Sequence, residues 1–153
     1  TMFFAARQIH LEVVIDKKRC EGIPVITDRF DGSTFAFQKC VELIDGEFAI
    51  NTQLFNEFNK LREHVVAGHE PSLYIYMKVD PSEGMRRRAF ARDKVMNHFD
   101  LASIQEQERR DASYERFFWS VSSSGTHVAT VNANRPQHEV LQEVLSLVEK
   151  ELS

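Results

Sequence analysis

Three short apolar runs rich in β-branched residues are spaced along the chain, and each is followed by a segment with helical periodicity. The runs are residues 23–27, 73–79 and 128–131. Strands that alternate with helices in this way favour a parallel sheet, because each crossover helix returns the chain to the same edge. The pattern predicts an α/β fold in which a parallel sheet is flanked by helices. The length of 153 residues predicts a single domain over residues 1–153.

Helices are predicted where apolar residues recur three and four positions apart. Gly22 suits the end of the first helix, and Pro81 and Pro136 suit first helical positions. The predicted helices cover residues 2–20, 34–43, 52–66, a segment that begins at Pro81, residues 101–119 and a segment that begins at Pro136. The predicted connections include a turn at Asp45-Gly46, a link over residues 94–100 and a loop over residues 132–135.

Composition excludes several classes of partner. A formal net charge of -4 argues against a large nucleic-acid partner, and no apolar run is long enough to span a membrane. Cys20 and Cys40 match no metal-ligand spacing, and the six histidines show none either, so no residue is assigned to a metal. With so few cysteines, we expect reduced thiols and a cytoplasmic location.

The stretch of residues 24–38, which reads PVITDRFDGSTFAFQ, contains the strongest functional signal. Asp28 and Arg29 follow a predicted strand, and ligands of open α/β sheets bind at that carboxyl edge. The planar guanidinium suits phosphate, while the carboxylate can orient it, hold a metal-bound water or accept a proton. The same two residues also fit a salt bridge at the strand end.

Two further patterns have a functional and a structural interpretation. The arginines at 86–88 and Arg92 supply the positive charge that phosphoryl transfer needs, or they form a solvated helix face near Glu83 and Asp93. Phe3 and Arg7 lie four residues apart on one helix face. Such a ring stacks on a base while the guanidinium donates to a carbonyl oxygen, or the pair is a core phenylalanine and a surface arginine.

Asp28-Arg29-Phe30, Ser33-Thr34 and Ala36-Phe37-Gln38 closely resemble the Asp-Arg-aromatic, Ser and Ala-aromatic-Gln signature of thymidylate kinases, which phosphorylate dTMP. Other pieces resemble that family in the same order along the chain. They are the Phe-x-x-x-Arg of residues 3–7, the strand that ends in Val-Asp-Pro at residues 79–81, the Gly-Met-Arg-Arg of residues 84–87 and the Val-Asn-Ala of residues 131–133. Residues 97–100 depart from the Asp-Arg-x-Glu motif that is common in the mobile lid segment of the family.

The resemblance implies a role for each matching residue. The residues expected to be catalytic are Asp28, Arg29, Arg87, Arg88 and Arg92. The residues expected to bind the monophosphate are Phe3, Arg7, Arg29, Ser33, Thr34, Phe37 and Gln38. The residues expected to bind the adenine of ATP are Asn132, Ala133 and Asn134.

The resemblance also implies a P-loop NTPase-like fold, ATP with Mg²⁺ as cofactors, dTMP or a related deoxynucleoside monophosphate as substrate, and a homodimer. The phosphate-binding motif G-x-x-x-x-G-K-[ST] does not occur in these residues. In the family this P-loop follows a first strand that precedes the helix beginning here near Met2. We therefore expect that these residues are the carboxyl-terminal part of a kinase domain, and that the chain alone binds ATP poorly.

Two other functions fit the same residues. One is a different deoxynucleotide or deoxynucleoside kinase, which the choice of phosphate acceptor would reveal. The other is a nucleotide-binding or dimerising module without a P-loop, which would bind nucleotide without turnover.

Overall fold

The structure, a computed structural model, describes residues 2–90 and 103–153, and the chain divides into two compact units, residues 1–70 and 71–153. Each unit has its own hydrophobic core and its own two-stranded sheet. The prediction of a single domain stays a prediction. The mixed α/β class is confirmed, with a parallel sheet and flanking helices in the second unit.

The first unit begins with one nearly continuous helical stretch, as predicted for residues 2–20. It consists of α1 (Met2–His10), a π-helical turn (Leu11–Ile15) and α2 (Asp16–Cys20). Gly22 ends the stretch at φ +72°, where its amide donates to the Arg19 carbonyl at 3.0 Å. The amide of Ile23 reaches the Lys18 carbonyl at 2.9 Å. This pair of hydrogen bonds is a Schellman motif, in which glycine takes the left-handed conformation without steric cost.

Aromatic side chains from three helices form the core of the first unit. The helices α3 (Asp31–Phe37) and α4 (Thr52–Val66) join α1. The Phe58 ring lies 5.6 Å from the Phe4 ring and 5.1 Å from the Phe35 ring, measured between centroids. Because both contacts are tilted or edge-on, they match the geometry that aromatic pairs prefer. This core fixes α1 and α3 against α4.

The predicted strand over residues 23–27 is wrong. These residues lie in an irregular segment with exposed side chains, and Ile26 is 80% exposed. In the described part of the chain they join no backbone ladder. β-branched composition gives a segment a preference for extended backbone, but a strand also requires a neighbour to accept its hydrogen bonds.

The predicted helix over residues 34–43 is correct only in its first half. α3 begins earlier, at Asp31, and ends at Phe37; a hairpin of β1 (Val41–Ile44) and β2 (Glu47–Ile50) follows. The predicted turn at Asp45-Gly46 is confirmed, with φ values of +52° and +86°. Two left-handed residues make a type I′ turn, whose twist matches an antiparallel pair, so the chain turns back here as a hairpin.

The second unit contains the predicted parallel pair. β3 (Leu73–Lys78) and β4 (His127–Asn132) align from Leu73 opposite His127 to Lys78 opposite Asn132. The three helices of this unit are α5 (Pro81–Phe90), α6 (Ile104–Ser123) and α7 (Gln137–Leu152). The predicted link over residues 94–100 lies outside the described residues.

The core of the second unit lies between β3 and α6. The Tyr74 ring is 5.8 Å from the Phe117 ring, and the Tyr76 ring is 4.8 Å from the Phe118 ring. Across residues 2–90 and 103–153, none of the helices combines the length and apolarity needed to cross a bilayer.

Gly46→Ala is expected to lower the free energy of unfolding by about 1 kcal/mol, because a Cβ is disfavoured at φ > 0. A Cβ at Gly46 would meet no atom within 4 Å, so the loss would come from backbone conformation alone. Urea denaturation measures it. The matched control is Gly84→Ala in α5, where the Cβ would meet Val79 Cγ1 at an ordinary 3.8 Å. Helix propensity should make this variant more stable, by about 0.5–1 kcal/mol. Equal destabilisation by both substitutions would contradict the turn assignment.

Candidate functional site

Functional residues predicted from the sequence collect around α3, and together with Phe30 they form what we call the α3 cluster: Arg7, Arg29, Phe30, Thr34 and Phe37. Asp31, the first residue of α3, is fully buried. Its Oδ1 accepts from the Gly32 amide at 3.0 Å, and its Oδ2 accepts from Arg62 Nε on α4 at 2.7 Å. A carboxylate at a helix N-terminus is stabilised by the helix dipole. The ion pair therefore fixes the end of α3 that presents the cluster.

Arg7 connects α1 to the α3 cluster. One terminal nitrogen of its guanidinium donates to the Phe30 carbonyl and to Thr34 Oγ1, both at 3.0 Å. The guanidinium carbon also lies 4.5 Å from the centre of the Phe30 ring, within cation–π range. Thr34 is buried. The structure thus brings together Arg7 and Thr34, which are 27 residues apart in the sequence.

Arg29 and Phe37 form the second contact of the α3 cluster. The Arg29 guanidinium carbon lies 5.6 Å from the centre of the Phe37 ring. Arg29 adopts φ +66°, which is uncommon for a residue with a Cβ and is found at functional sites. Its side chain is exposed, so the guanidinium is accessible to an anion.

The other predicted residues of the first unit lie around this cluster. Phe3 is on α1 and is 66% exposed. Asp28 is exposed in the bend before α3. The Ser33 amide donates to the Phe30 carbonyl at 3.2 Å, and the Gln38 amide ends α3 on the Thr34 carbonyl at 3.0 Å. Because two donors meet at the Phe30 carbonyl, the backbone of the Asp-Arg-Phe motif is held from both α1 and α3.

A second group of predicted residues, Arg87 and residues 132–134, lies where β3 and β4 end. With Asp80, Glu83 and Arg135 they form what we call the β-edge cluster: Asp80, Glu83, Arg87 and the loop of residues 132–135. The Ala133 amide donates to the Lys78 carbonyl at 2.8 Å, which extends the parallel ladder by one bond. The Asp80 amide donates to Asn134 Oδ1 at 2.9 Å, and the Asn134 amide donates to Asn132 Oδ1 at 3.0 Å. Both asparagine side chains therefore stabilise the loop itself.

Arg87 contacts this loop from α5. Its guanidinium donates to the carbonyls of Ala133 at 2.8 Å, Asn134 at 3.0 Å and Arg135 at 3.4 Å. Its Nε donates to Glu83 at 2.7 Å. Hydrogen bonds from Arg86 and then Arg87 lower the pKa of Glu83 to about 2. Glu83 is therefore ionised at neutral pH and orients both arginines.

The side chain of Lys78, at the end of β3, contacts α6. The Lys78 ammonium forms a salt bridge with Glu115 of α6, and this hydrogen bond raises the pKa of Lys78. The side chain of Arg88 and the whole of Arg92 lie outside the described residues. Their expected roles stay predictions.

Sequence reasoning missed the contact of Arg7 with Phe30, the ion pair of Asp31 with Arg62, and the hydrogen bond from the Asp80 amide to the Asn134 side chain. Asp31 directly follows the Asp-Arg-Phe motif, and Asp80 lies in the Val-Asp-Pro motif, so their positions carried a signal. Nothing in the sequence linked Arg62 to Asp31 across 31 residues. An ion pair between side chains of two helices forms only when the helices pack against each other.

In open α/β folds, ligands bind beyond the carboxyl ends of the parallel strands, and the charged groups of the second unit lie at this edge. The comparison with known families makes the assignment specific. The model of the thymidylate kinase family matches residues 1–144, and the chain belongs to that family.

Curated relatives carry the same family name at moderate identity. The chain is similar to the thymidylate kinase of Clostridium novyi (strain NT), with 25% identity over 94% of this chain and 64% of the relative. It is similar to that of Geobacillus thermodenitrificans (strain NG80-2), with 26% identity over 96% and 60%. The thymidylate kinase of Mesoplasma florum is 27% identical over 96% and 64%. The chain thus spans less than two thirds of the length of these relatives.

Thr34→Val tests the Arg7 contact by removing the hydroxyl and keeping the shape. Because the change leaves a part-buried guanidinium short of one acceptor, the free energy of unfolding should fall by about 1–2 kcal/mol. The matched control is Thr27→Val, whose exposed hydroxyl donates to the Arg29 carbonyl at a long 3.4 Å. That substitution should cost less than about 0.5 kcal/mol. Urea denaturation of both variants decides, and similar losses would count against the Arg7–Thr34 contact.

Proposed function

We propose that the intact protein transfers the γ-phosphoryl group of ATP to dTMP and releases ADP and dTDP. The observation that carries this proposal is the contact of Arg7 with Thr34 and with the Phe30 carbonyl, directly beside Arg29. These are the residues that the family resemblance assigns to the acceptor nucleotide. Their assembly around one short helix supports a site for a deoxynucleoside monophosphate.

In this proposal the α3 cluster binds dTMP. Arg29 holds the phosphate, for which its planar and exposed guanidinium provides charge-assisted hydrogen bonds. Phe37 lies under the deoxyribose, and Thr34 faces the edge of the thymine ring. Arg7 reaches a thymine carbonyl, and the exposed Phe3 ring stacks on the base. Asp28, Ser33 and Gln38 complete the acceptor side.

ATP is proposed to place its adenine at residues 132–134 and to supply the phosphoryl group. The β-edge cluster fits a base, because its loop has a fixed backbone and exposed asparagine residues. Arg87 contacts the loop of residues 132–135, whereas the arginines Arg88 and Arg92 belong to the segment proposed to close over the phosphates. Positive charge at that position would stabilise the dispersed charge of the phosphoryl-transfer transition state.

Within residues 2–90 and 103–153 no group of three histidine, cysteine or acidic side chains could hold a metal ion. We propose that the phosphate-binding loop and the Mg²⁺ ligands belong to a part of the intact protein outside these 153 residues. The greater length of the curated relatives supports this, since the chain spans 60–66% of them.

A homodimer and a cytoplasmic location complete the proposal. Met2, Ala6, Ile9 and Val13 follow the i, i+4, i+7, i+11 spacing of one helix face, and Met2, Ile9 and Val13 are each more than 60% exposed. Such an apolar stripe fits pairing with a second copy of α1. The chain has only two cysteines, and they match no metal-ligand spacing, which fits a reducing compartment.

To test the proposed function, the protein is expressed from its natural coding sequence, and ADP formation is measured with dTMP, dUMP, dGMP and thymidine as acceptors. dTMP should give the highest kcat/KM. Arg29→Ala should lower kcat/KM for dTMP by about 100-fold or more, because charge-assisted bonds to the phosphate are lost. Because arginine and alanine both carry a Cβ, the substitution leaves the strain of the left-handed backbone at position 29 unchanged.

Arg19→Ala is the matched control, since it removes the same charge from an exposed position on α2. It should leave kcat/KM within about twofold of the unsubstituted protein, as surface substitutions generally do. A preference for thymidine or dGMP would replace the proposal with a different nucleoside or nucleotide kinase. Binding of dTMP without turnover would identify a binding module.

A further inference from the structure

Arg87 directs its guanidinium at the backbone of its own chain. Four hydrogen bonds use three nitrogens: Nη1 donates to the Ala133 carbonyl, Nη2 donates to the carbonyls of Asn134 and Arg135, and Nε donates to Glu83. A guanidinium has five donor hydrogens in a rigid fork. With four of them engaged in this way, little donor capacity is left for a phosphate.

The loop that receives these bonds is anchored on its other side by β3. The Ala133 amide bonds to the Lys78 carbonyl, and the Asn134 side chain accepts from the Asp80 amide. Residues 133–135 are therefore held between the end of a strand and the first turns of α5. A loop fixed before its ligand arrives loses less conformational entropy on binding than a free one.

Arg86 provides an internal comparison. It pairs with the same carboxylate at 2.7 and 2.8 Å, and its guanidinium carbon lies 5.9 Å from the centre of the Phe90 ring. A surface ion pair of this type contributes little to stability. If the ion pair with Glu83 were the only contact of the Arg87 side chain, Arg86 and Arg87 would have equivalent environments. The three carbonyl contacts distinguish Arg87.

We propose that Arg87 is a positioning residue that fixes the backbone of residues 133–135 for the nucleotide base and couples this loop to the arginine-bearing helix α5. The base-binding part of this inference rests on the proposed function. The positioning part stands on the carbonyl contacts and can be tested separately.

The first experiment measures amide hydrogen exchange at Ala133 and Asn134 in the full chain without nucleotide. Arg87→Lys keeps the charge but lacks the fork, so it should accelerate exchange at both amides by about tenfold, the effect of losing one charged hydrogen bond. Arg87→Ala should accelerate it at least as much. Arg86→Ala, which removes one charge and one Glu83 partner, should leave exchange at these amides unchanged.

Two results would overturn the positioning role. One is unchanged exchange in Arg87→Lys, which would show that the loop holds its backbone without the fork. The other is equal acceleration in Arg86→Ala, which would trace the effect to Glu83 or to general charge. Circular dichroism checks that each variant is folded. If Arg87→Ala does not fold, hydrogen exchange in Arg87→Lys decides the positioning role.

The second experiment measures kinetic constants of the Arg87→Lys variant of the intact protein. KM for ATP should rise by about fivefold, while KM for dTMP and kcat stay within about twofold, because only positioning of the base is affected. A fall in kcat with unchanged KM for ATP would show that Arg87 acts on the reacting phosphates. If the unsubstituted protein does not phosphorylate dTMP, the proposed function fails, and hydrogen exchange alone then decides the positioning role.

Discussion

The parallel pairing of β3 with β4 is the constraint on which the second unit depends. Because Lys78 lies opposite Asn132, the segments that follow both strands emerge at the same edge. This is why the Asp80 amide meets the Asn134 side chain, and why α5 starts beside the loop of residues 132–135. Asp80 and Asn134 are 54 positions apart in the sequence, yet the register of the two strands brings them into contact. The β-edge cluster follows from that register.

A different constraint determines the first unit. Its cluster depends on how α3 begins, with Arg29 in a left-handed conformation and Asp31 buried against Arg62. A buried ion pair is weak evidence for net stability, because desolvation offsets the attraction. It does restrict the geometry, since a displaced carboxylate would lose both its partner and the Gly32 amide. The acceptor and ATP residues of the proposed function thus lie in units that are held by unrelated interactions.

The sequence predicted those elements whose signal is local. Residues 73–79 are mostly β-forming and end at Asp80-Pro81, and the observed β3 follows them closely. Residues 23–27 have a similar composition but lack a ladder, because a hydrogen-bonded neighbour is a tertiary property. The hairpin was missed although Asp45-Gly46 is a strong hairpin signal, since apolar residues at 41–44 also fit a helix. Arg7 and Thr34 were assigned to one nucleotide site only through the family resemblance, and their direct contact was not predicted. The carbonyl contacts of Arg87 could not be predicted, because a sequence shows charge and spacing but not what a side chain meets.

The proposed function requires the α3 cluster to recognise a nucleoside monophosphate through its phosphate. Calorimetric titration of the protein with dTMP and, separately, with thymidine tests it most directly, since the two ligands differ only in that group. We expect dTMP to bind about 100-fold more tightly than thymidine, the difference expected from charge-assisted bonds to one arginine. Equal affinities for the two ligands, or no binding of either, would contradict it.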